Sequence, residues 1–329
     1  MIEEEKPQGT EYASRIDLSG LEASVNKIRN EIGKIIVGQE DLIDKLIVAL
    51  MSDGHVLLEG MPGVAKTLVS KLLARTVDAG FSRIQFTPDL MPSDVIGTLV
   101  FQSGNFEFKK GPIFSNIILI DEINRAPAKT QAALFECMEE RQVTVDGKTY
   151  PLERPFMIVA TQNPVDHEGT YRLPEAQLDR FMFKINVMYP GLDQEKEMLL
   201  RHHQRGHSTH FHDIRAVLSR QELETYKNTI DKVTVKDDLL HYIAALVLET
   251  RNNSSLYIGA SPRASIAVLE ASKALAAIRG RDFVTPEDIR EVAVPVMVHR
   301  ISLTPEKEME GRTANEILGQ LLSKVEVPR

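Results

Sequence analysis

Residues 55–69 read HVLLEGMPGVAKTLV: an apolar segment breaks at Gly60, and a helical pattern resumes after Lys66 and Thr67. Apart from Ala65, the stretch matches the phosphate-binding pattern G-x-x-x-x-G-K-[ST]. In that pattern backbone N–H groups surround phosphate oxygens, the lysine neutralises the β- and γ-phosphates, and the hydroxyl binds Mg²⁺. The stretch therefore predicts a strand, a phosphate-binding loop and a helix. The predicted nucleotide contacts are Gly60, Pro62, Gly63, Val64, Ala65, Lys66, Thr67 and Leu68.

Ala65 occupies a position that is glycine in the pattern. Glycine is required only where φ is positive or where a Cβ would clash. Because Ala65 directly precedes the predicted helix, we expect its φ to be negative already and alanine to be tolerated. The flanking strand and helix favour nucleotide binding over the alternative, a Gly-Pro turn that happens to precede a lysine.

Composition limits the class of protein. The chain has 329 residues, a net charge of −8 and a single cysteine, so we expect about two domains and no intramolecular disulfide. The acidic start MIEEEKPQGTEY lacks the features of a secretory signal, and no apolar run reaches the roughly 18 residues that span a membrane. We expect a cytoplasmic protein. The absence of a basic stripe argues against nucleic acid as a ligand.

Five apolar segments are typical of parallel strands that are covered on both faces. They are HVLLEG, SRIQFT, NIILID, FMIVATQ and FMFKINVMY, and helical patterns separate them. Two further parts of the chain each have a strand-like segment on either side of a turn, at Ser103-Gly104-Asn105 and at Asp146-Gly147. This pattern predicts two β-hairpin insertions. The sequence therefore predicts an α/β fold with a parallel sheet.

Strand patterns stop after Pro190-Gly191, and the rest of the chain has helical patterns. We expect an N-terminal polar segment and helix (1–36), an α/β nucleotide-binding domain (37–190) and an all-helical lid domain (191–329).

Asp121 and Glu122 follow the apolar strand NIILI. At the end of a parallel strand beside the loop, the first acid is suited to complete the Mg²⁺ shell and the second to polarise an attacking water. A solvated acidic turn is the alternative, and the strand before it favours catalysis. Asn163 follows the next strand, FMIVATQ, where its amide is placed either to orient the water or to serve as an ordinary loop residue.

Five ordered motifs, GMPGVAKT, IILIDEINRAPAKTQAALFECMEERQVTVDG, ATQNP, LPEAQLDRF and GASPRA, resemble the MoxR family of AAA+ ATPases. The similarity covers nearly the whole chain past residue 20. It implies an AAA+ P-loop parallel sheet core with two β-hairpin insertions, followed by a helical lid. It also implies an ATP hydrolase that uses ATP and Mg²⁺.

The resemblance implies roles for single positions. Lys66 and Thr67 match Walker A, with Thr67 and Asp121 as Mg²⁺ ligands; Asp121 and Glu122 match Walker B, and Asn163 matches the first sensor. Further matches are Val37 and Gly38 beside the adenine, Arg180 as the arginine finger and Arg263 as the second sensor. The family pattern leaves open whether Arg263 acts in its own subunit or in the next.

The residue pattern supports a functional role for Arg263 but not for Arg180. Ser261 and Pro262 form a good N-cap and first position, which places Arg263 in the first turn of its helix. A cation there opposes the helix dipole, which favours a functional role such as phosphate contact over a solvated side chain. The role of Arg180 rests on the resemblance alone.

The family resemblance implies a ring of six copies of the chain that remodels partner proteins, assembles them or inserts metal into them. A von Willebrand factor A domain protein is the expected partner. Three alternatives stay open: a nucleic-acid motor, which predicts basic hairpin tips; a nucleotide switch without turnover, which predicts loss of Glu122 or Arg180; and a small-molecule kinase.

Two other features carry little weight. The stretch RHHQRGHSTHFHD holds His202, His203, His207, His210 and His212. We interpret it as a polar connection between domains rather than a metal site. Cys137 is interpreted as a small buried apolar side chain rather than a nucleophile.

We expect the Glu122→Gln protein to bind ATP with unchanged affinity and to lose hydrolysis. The amide keeps the shape of the carboxylate but cannot accept a proton from water. Binding of a fluorescent ATP analogue and release of phosphate measure the two effects separately. Unimpaired turnover would remove Glu122 as the general base.

Overall fold

The computed structural model describes residues 16–102, 104–163, 171, 173–205 and 213–328. Within these ranges no helix is both long and apolar enough to cross a membrane. Residues 1–15, part of the predicted N-terminal polar segment, lie outside the described residues.

The described ranges contain eleven β-strands. They are β1 (Val56–Gly60), β2 (Phe81–Gln85), β3 (Gly97–Gln102), β4 (Asn105–Lys110), β5 (Ile117–Asp121), β6 (Gln142–Val145), β7 (Lys148–Pro151), β8 (Met157–Gln162), β9 (Phe183–Val187), β10 (Leu256–Ile258) and β11 (Ser302–Leu303).

The helices of the first half of the chain lie around the sheet. They are α1 (Ser19–Gly33), α2 (Glu40–Met51), α3 (Lys66–Thr76), α4 (Pro92–Ile96), α5 (Ala128–Glu140) and α6 (Glu175–Leu178). The helices of the second half are here called the lid. They are α7 (Leu192–Arg205), α8 (Arg220–Ile230), α9 (Asp237–Asn252), α10 (Pro262–Ile278), α11 (Pro286–Met297), α12 (Pro305–Met309) and α13 (Ala314–Lys324).

Five strands form one parallel sheet in the order β2-β5-β8-β1-β9. Alternate residues of each strand enter two different apolar clusters. Val56 and Leu58 of β1 pack with α1, α2 and the lid, whereas Leu57 packs with α5 on the other face. All three side chains are fully buried. The predicted α/β fold with a parallel sheet covered on both faces is confirmed.

Both predicted hairpins are present. Strands β3 and β4 pair antiparallel, as do β6 and β7. Asp146 and Gly147 join the second pair with φ of 49° and 73°, and two positive φ values in a two-residue loop are the signature of a type I′ turn. Ser103, in the first turn, lies outside the described residues.

The second half of the chain is helical, as expected, but it also contains a short ribbon. Strands β10 and β11 pair antiparallel within the lid. The ribbon has only three and two residues, too few for a pattern of alternation to be visible in the sequence.

One continuous apolar cluster joins α1, α2, one face of the sheet and the lid. Helix α1 packs against α2, α3 and α10, so it contacts both the nucleotide-binding half and the lid. Strand β9 ends at Val187 and α7 begins at Leu192, on either side of the predicted boundary near residue 190. The division of the chain at residues 36 and 190 stays a prediction.

The expected backbone conformation of Ala65 was wrong. Ala65 is the N-cap of α3 and has φ 60° and ψ 19°, the left-handed conformation. The cause is that the N-cap precedes the helical dihedrals, and here the chain turns sharply between Gly63, with φ 87°, and Lys66. Alanine in this conformation costs about 1–2 kcal/mol relative to the right-handed region.

We expect Ala65→Gly to raise the free energy of unfolding by about 0.5 kcal/mol, because relief of this strain exceeds the entropy that glycine adds to the unfolded chain. Ala65→Val should lower the same quantity by at least about 1 kcal/mol, since a β-branched side chain tolerates positive φ poorly. Urea unfolding of the three proteins measures the effect. Equal stability of the valine and alanine forms would contradict a left-handed residue 65.

His55, directly before β1, is buried and neutral. Its Nδ1 accepts a hydrogen bond from the Ile158 N–H (3.0 Å), and its Nε2–H donates to the Met138 carbonyl (3.3 Å). Burial lowers the pKa of His55 to about 4. Below about pH 6.5 His55 therefore binds a proton in the unfolded chain but stays neutral in the folded protein. The free energy of unfolding falls as the pH falls towards 4.

Between about pH 7.5 and about pH 5, His55 should remove about 2 kcal/mol from the free energy of unfolding. The measurement is urea unfolding at both pH values for the wild-type, His55→Gln and His241→Gln proteins. His241 is exposed and serves as the matched control. The loss on acidification should shrink in His55→Gln and stay unchanged in His241→Gln; equal losses in all three would contradict a neutral buried His55.

Candidate functional site

The predicted site residues divide between the two ends of the parallel sheet. Gly60 ends β1, Asp121 ends β5, and Asn163 follows the last residue of β8. Since these three strands are parallel neighbours or next neighbours, their carboxyl ends meet at one edge of the sheet. The phosphate loop and the acidic pair are thus brought together, as the sequence predicted.

The loop that follows β1 has the geometry of an anion cradle. Gly63 is exposed with open space where a Cβ would point, and Val64 is buried beneath the loop. Lys66 Nζ donates to the carbonyls of Gly60 (2.5 Å) and Met61 (3.4 Å). Thr67 and Leu68 continue the first turn of α3, whose N-terminus points its free N–H groups at the cradle.

Burial lowers the pKa of Lys66, and the carboxylates of Asp121, Glu122 and Glu59 oppose that shift. These three acids therefore lie close enough to Lys66 to interact with it electrostatically. The first two belong to β5 and the turn that follows it, so the loop lysine and the acidic pair share one site.

Asp121 is buried, and both of its carboxylate oxygens have partners. Oδ2 accepts from Arg83 Nε (2.6 Å), and Oδ1 accepts from Thr161 Oγ1 (3.3 Å). Arg83 lies on β2, and Thr161 lies on β8. The two strands beside β5 thereby fix the orientation of this carboxylate.

Glu122 has φ 56° and ψ 55°, the second strained residue of the site. Its N–H donates to Thr161 Oγ1 (3.0 Å), and its Oε2 accepts from Gln85 Nε2 (2.8 Å) and Arg125 Nη1 (3.1 Å). Left-handed non-glycine residues cost roughly 1–3 kcal/mol and cluster at functional sites. The Glu122 carboxylate therefore lies between Gln85, at the end of β2, and Arg125, in the turn that follows Glu122.

Val37 and Gly38 lie between the loop and the start of the lid. The Gly38 carbonyl accepts from Gln194 Nε2 (3.3 Å), and the adjacent Gln39 donates from Nε2 to the Val64 carbonyl (3.1 Å). Gly38 has φ 72°, and a Cβ there would lie 2.2 Å from the Gln194 side chain. The positive φ favours glycine at this position, and a Cβ would also displace the Gln194 side chain.

Arg180 and Arg263 lie at the other end of the sheet. Arg180 precedes β9, whose first residue pairs with the first residue of β1. Five residues of β1 separate that end from the phosphate loop, a length of about 13 Å. The described geometry therefore places both arginines away from the loop of their own chain.

One carboxylate holds the two arginines together. Glu139, at the end of α5, lies 3.3 Å from Arg180 Nη1 and accepts from Arg263 Nη2 (2.6 Å). Arg180 also donates to the Phe135 carbonyl (2.7 Å). Ser261 caps α10 by accepting from the Arg263 N–H (3.2 Å), as the sequence predicted.

Sequence reasoning missed several members of the site. Arg83 and Gln85 alternate along β2, so they extend on the same side of that strand, and polar residues at the end of an apolar strand are a signal that could have been read. Thr161, near the end of the apolar strand β8, carries the same signal, whereas Glu139 carries none because its role depends on contacts made only in the folded chain.

The residues present fit a magnesium nucleotide. The loop supplies N–H donors and Lys66, while Thr67 and the buried Asp121 supply the hard oxygen ligands that Mg²⁺ prefers. Asp121 and Thr67 are the residues that would hold the ion.

The structure describes Cys137 and two of the five clustered histidines. Cys137 is buried, and burial raises the pKa of its thiol to about 12, so it is unreactive. His202 and His203 lie on α7, whereas His207, His210 and His212 lie outside the described residues. The described part of the chain contains no cluster of histidine, cysteine and acidic side chains suited to a metal ion.

Comparison with known proteins identifies the family. Residues 55–183 match the model of the ATPase family associated with various cellular activities (AAA), and residues 248–321 match the AAA lid domain. A crystal structure of a protein from Cytophaga hutchinsonii superposes with a TM-score of 0.88 at 44% identity, covering 95% of this chain and 97% of that one.

Two relatives share most of their length with this chain. Chaperone MoxR1 of Mycobacterium tuberculosis is 43% identical over 324 residues, 94% of this chain and 85% of that protein. Protein MoxR of Methylorubrum extorquens is 30% identical over 307 residues, 86% of this chain and 89% of that protein. These matches, the parallel sheet with its loop and acidic pair, and the helical lid show that the chain belongs to the MoxR family of AAA+ ATPases.

Proposed function

We propose that this protein hydrolyses ATP with Mg²⁺ in a ring of identical subunits, each of which donates Arg180 and Arg263 to the nucleotide of its neighbour. One observation carries the proposal. Lys66, Asp121 and Glu122 lie at the carboxyl edge of the sheet, whereas both arginines lie at the amino edge, joined through Glu139. A single subunit therefore holds the two halves of a phosphoryl-transfer site at opposite ends.

The halves complement each other in charge. Phosphoryl transfer develops negative charge on the equatorial oxygens, and a positioned arginine accelerates it on the order of 10³–10⁵-fold. Bound Mg²⁺ supplies neutralisation of the β- and γ-oxygens. A neighbour's phosphate would replace Glu139 as the partner of the two arginines, so the cations exchange one anion for another.

Arg263 acts in the neighbouring site together with Arg180 in this proposal. Both guanidinium groups contact the same carboxylate, so one subunit edge presents two cations to one phosphate. The carboxylate that the two arginines share supports action of Arg263 in trans.

Glu122 is the proposed general base. Gln85 and Arg125 donate hydrogen bonds to its Oε2, and we propose that this carboxylate accepts the proton of the attacking water. Asn163, half-buried at the end of β8, is proposed to orient that water.

A protein client suits the exposed tip of the first hairpin. Phe101 and Phe106 are 64% and 70% exposed, and their rings lie 5.1 Å apart. An aromatic tip favours an apolar surface over a phosphate backbone, which requires cations.

We propose that hydrolysis drives the hairpins against a partner protein in a chaperone-like role. A von Willebrand factor A domain protein is the proposed adaptor, and the proposed outcome is assembly of the partner or insertion of metal into it. A ring of six subunits in the cytoplasm is the proposed setting.

Subunit mixing tests the shared site. Lys66→Ala loses its own nucleotide loop but keeps its arginines, and Arg180→Ala does the reverse, so each protein alone should be nearly inactive. Rings mixed from both should hydrolyse ATP, because some interfaces combine an intact loop with an intact arginine. Phosphate release from the separate and mixed proteins is the measurement.

Arg154→Ala is the matched control, since Arg154 lies near the same edge and is largely exposed. That protein should hydrolyse ATP at the wild-type rate. If rings shown to contain both mutant subunits recover no activity, the site is not shared.

A further inference from the structure

Arg300 is a buried cation that donates hydrogen bonds to the segment that contains Arg180. It follows α11 in the lid, and only 3% of its side chain is exposed. Its Nε donates to Asp179 Oδ1 (2.7 Å), and its Nη2 donates to the carbonyls of Asp179 (3.0 Å) and Phe181 (2.8 Å). Its Nη1 donates to the Met182 carbonyl (3.3 Å). One side chain thus fixes both flanks of residue 180.

The same Asp179 carboxylate reaches the helix that carries Arg263. Ser261 Oγ lies within hydrogen-bond distance of both Asp179 oxygens (2.9 and 3.1 Å), and Ser261 is the N-cap of α10. Asp179 therefore joins the arginine segment before β9 to two parts of the lid. A neighbouring lid residue, His299, adds a bond from Nε2 to the Phe181 carbonyl (2.8 Å).

A buried ion pair is weak evidence for stability as such, because apolar side chains of similar volume pack about as well. Apolar packing, unlike hydrogen bonds, does not fix the orientation of the groups that it brings together. A guanidinium presents five donors in a rigid plane, and here they meet a carboxylate and main-chain carbonyls at once. This arrangement fixes the position of a backbone segment relative to the lid, which is what a donated arginine needs.

We propose that Arg300 is a positioning residue for catalysis in the neighbouring subunit: with Asp179 and Ser261 it locks Arg180 and Arg263 to the lid, so that the two arginines move as one unit with it. This inference rests on the proposed function. Because the Arg300 side chain is buried, the proposed effect of Arg300 on catalysis runs through Arg180.

The Arg300→Lys protein tests the inference. Lysine keeps the charge beside Asp179 but cannot reach the carbonyls of residues 179, 181 and 182 together. We expect kcat for ATP to fall about tenfold or more, KM to change less than about twofold, and binding of ADP to the protein's own loop to stay at the wild-type affinity. Mixing with Lys66→Ala protein should restore activity, because that subunit supplies correctly held arginines to the intact loop.

Arg281→Lys is the matched control. Arg281 also donates two hydrogen bonds to a buried lid carboxylate, that of Asp288, and it follows the end of α10 opposite to Arg263. We expect this protein to lose a similar amount of thermal stability and to keep kcat within about twofold. Ser261→Ala serves as a second variant if Arg300→Lys does not fold: it removes the contact between Asp179 and α10, and it should lower kcat about threefold and be rescued by the same mixing.

The outcomes separate the two hypotheses. If Arg180→Ala is rescued by Lys66→Ala and Arg300→Lys is not, the site is shared but Arg300 does not act through the donated arginines. If neither is rescued, the shared site itself is wrong. Wild-type kcat in Arg300→Lys, or a loss of kcat in Arg281→Lys as large as in Arg300→Lys, would also overturn the positioning role.

Discussion

The polarity of the parallel sheet is the constraint on which the site depends. Every strand of the sheet runs in the same direction, so loops that follow strands gather at one edge and segments that precede strands gather at the other. Lys66 and the acidic pair belong to the first kind, and Arg180 belongs to the second. Covalent connectivity therefore keeps the loop and the arginine apart within one chain, and association of copies is the direct way to bring them together.

Much of this fold could be predicted from the sequence because its elements are locally determined. The strand before Gly60, the hairpin turn at Asp146-Gly147 and the cap at Ser261 all depend on residues within a few positions of each other. The ribbon of β10 and β11 depends on pairing between residues far apart in the chain, and it was missed.

The residues of the candidate site also differ in whether they could be predicted from local sequence. The loop and the acidic pair are contiguous motifs that are visible in the sequence, and the structure places both at one edge of the sheet. Glu139 and Arg300 could not be found, since each gains its partner only when distant segments pack. Ala65 was misjudged for a different reason: nearness to a helix does not give a residue helical dihedrals when that residue is the cap.

Helix α1 limits how the lid can respond to nucleotide. Its buried face packs against both α3, which begins at the phosphate loop, and α10, which begins beside Arg263. A wide hinge opening would expose that face to water at about 25 cal/mol per Å². Sliding of packed helices by an ångström or two keeps the face covered, so the fold favours a shear motion over a swinging one. Small displacements at the nucleotide would then travel to the next subunit as translations rather than as rotations of a free domain.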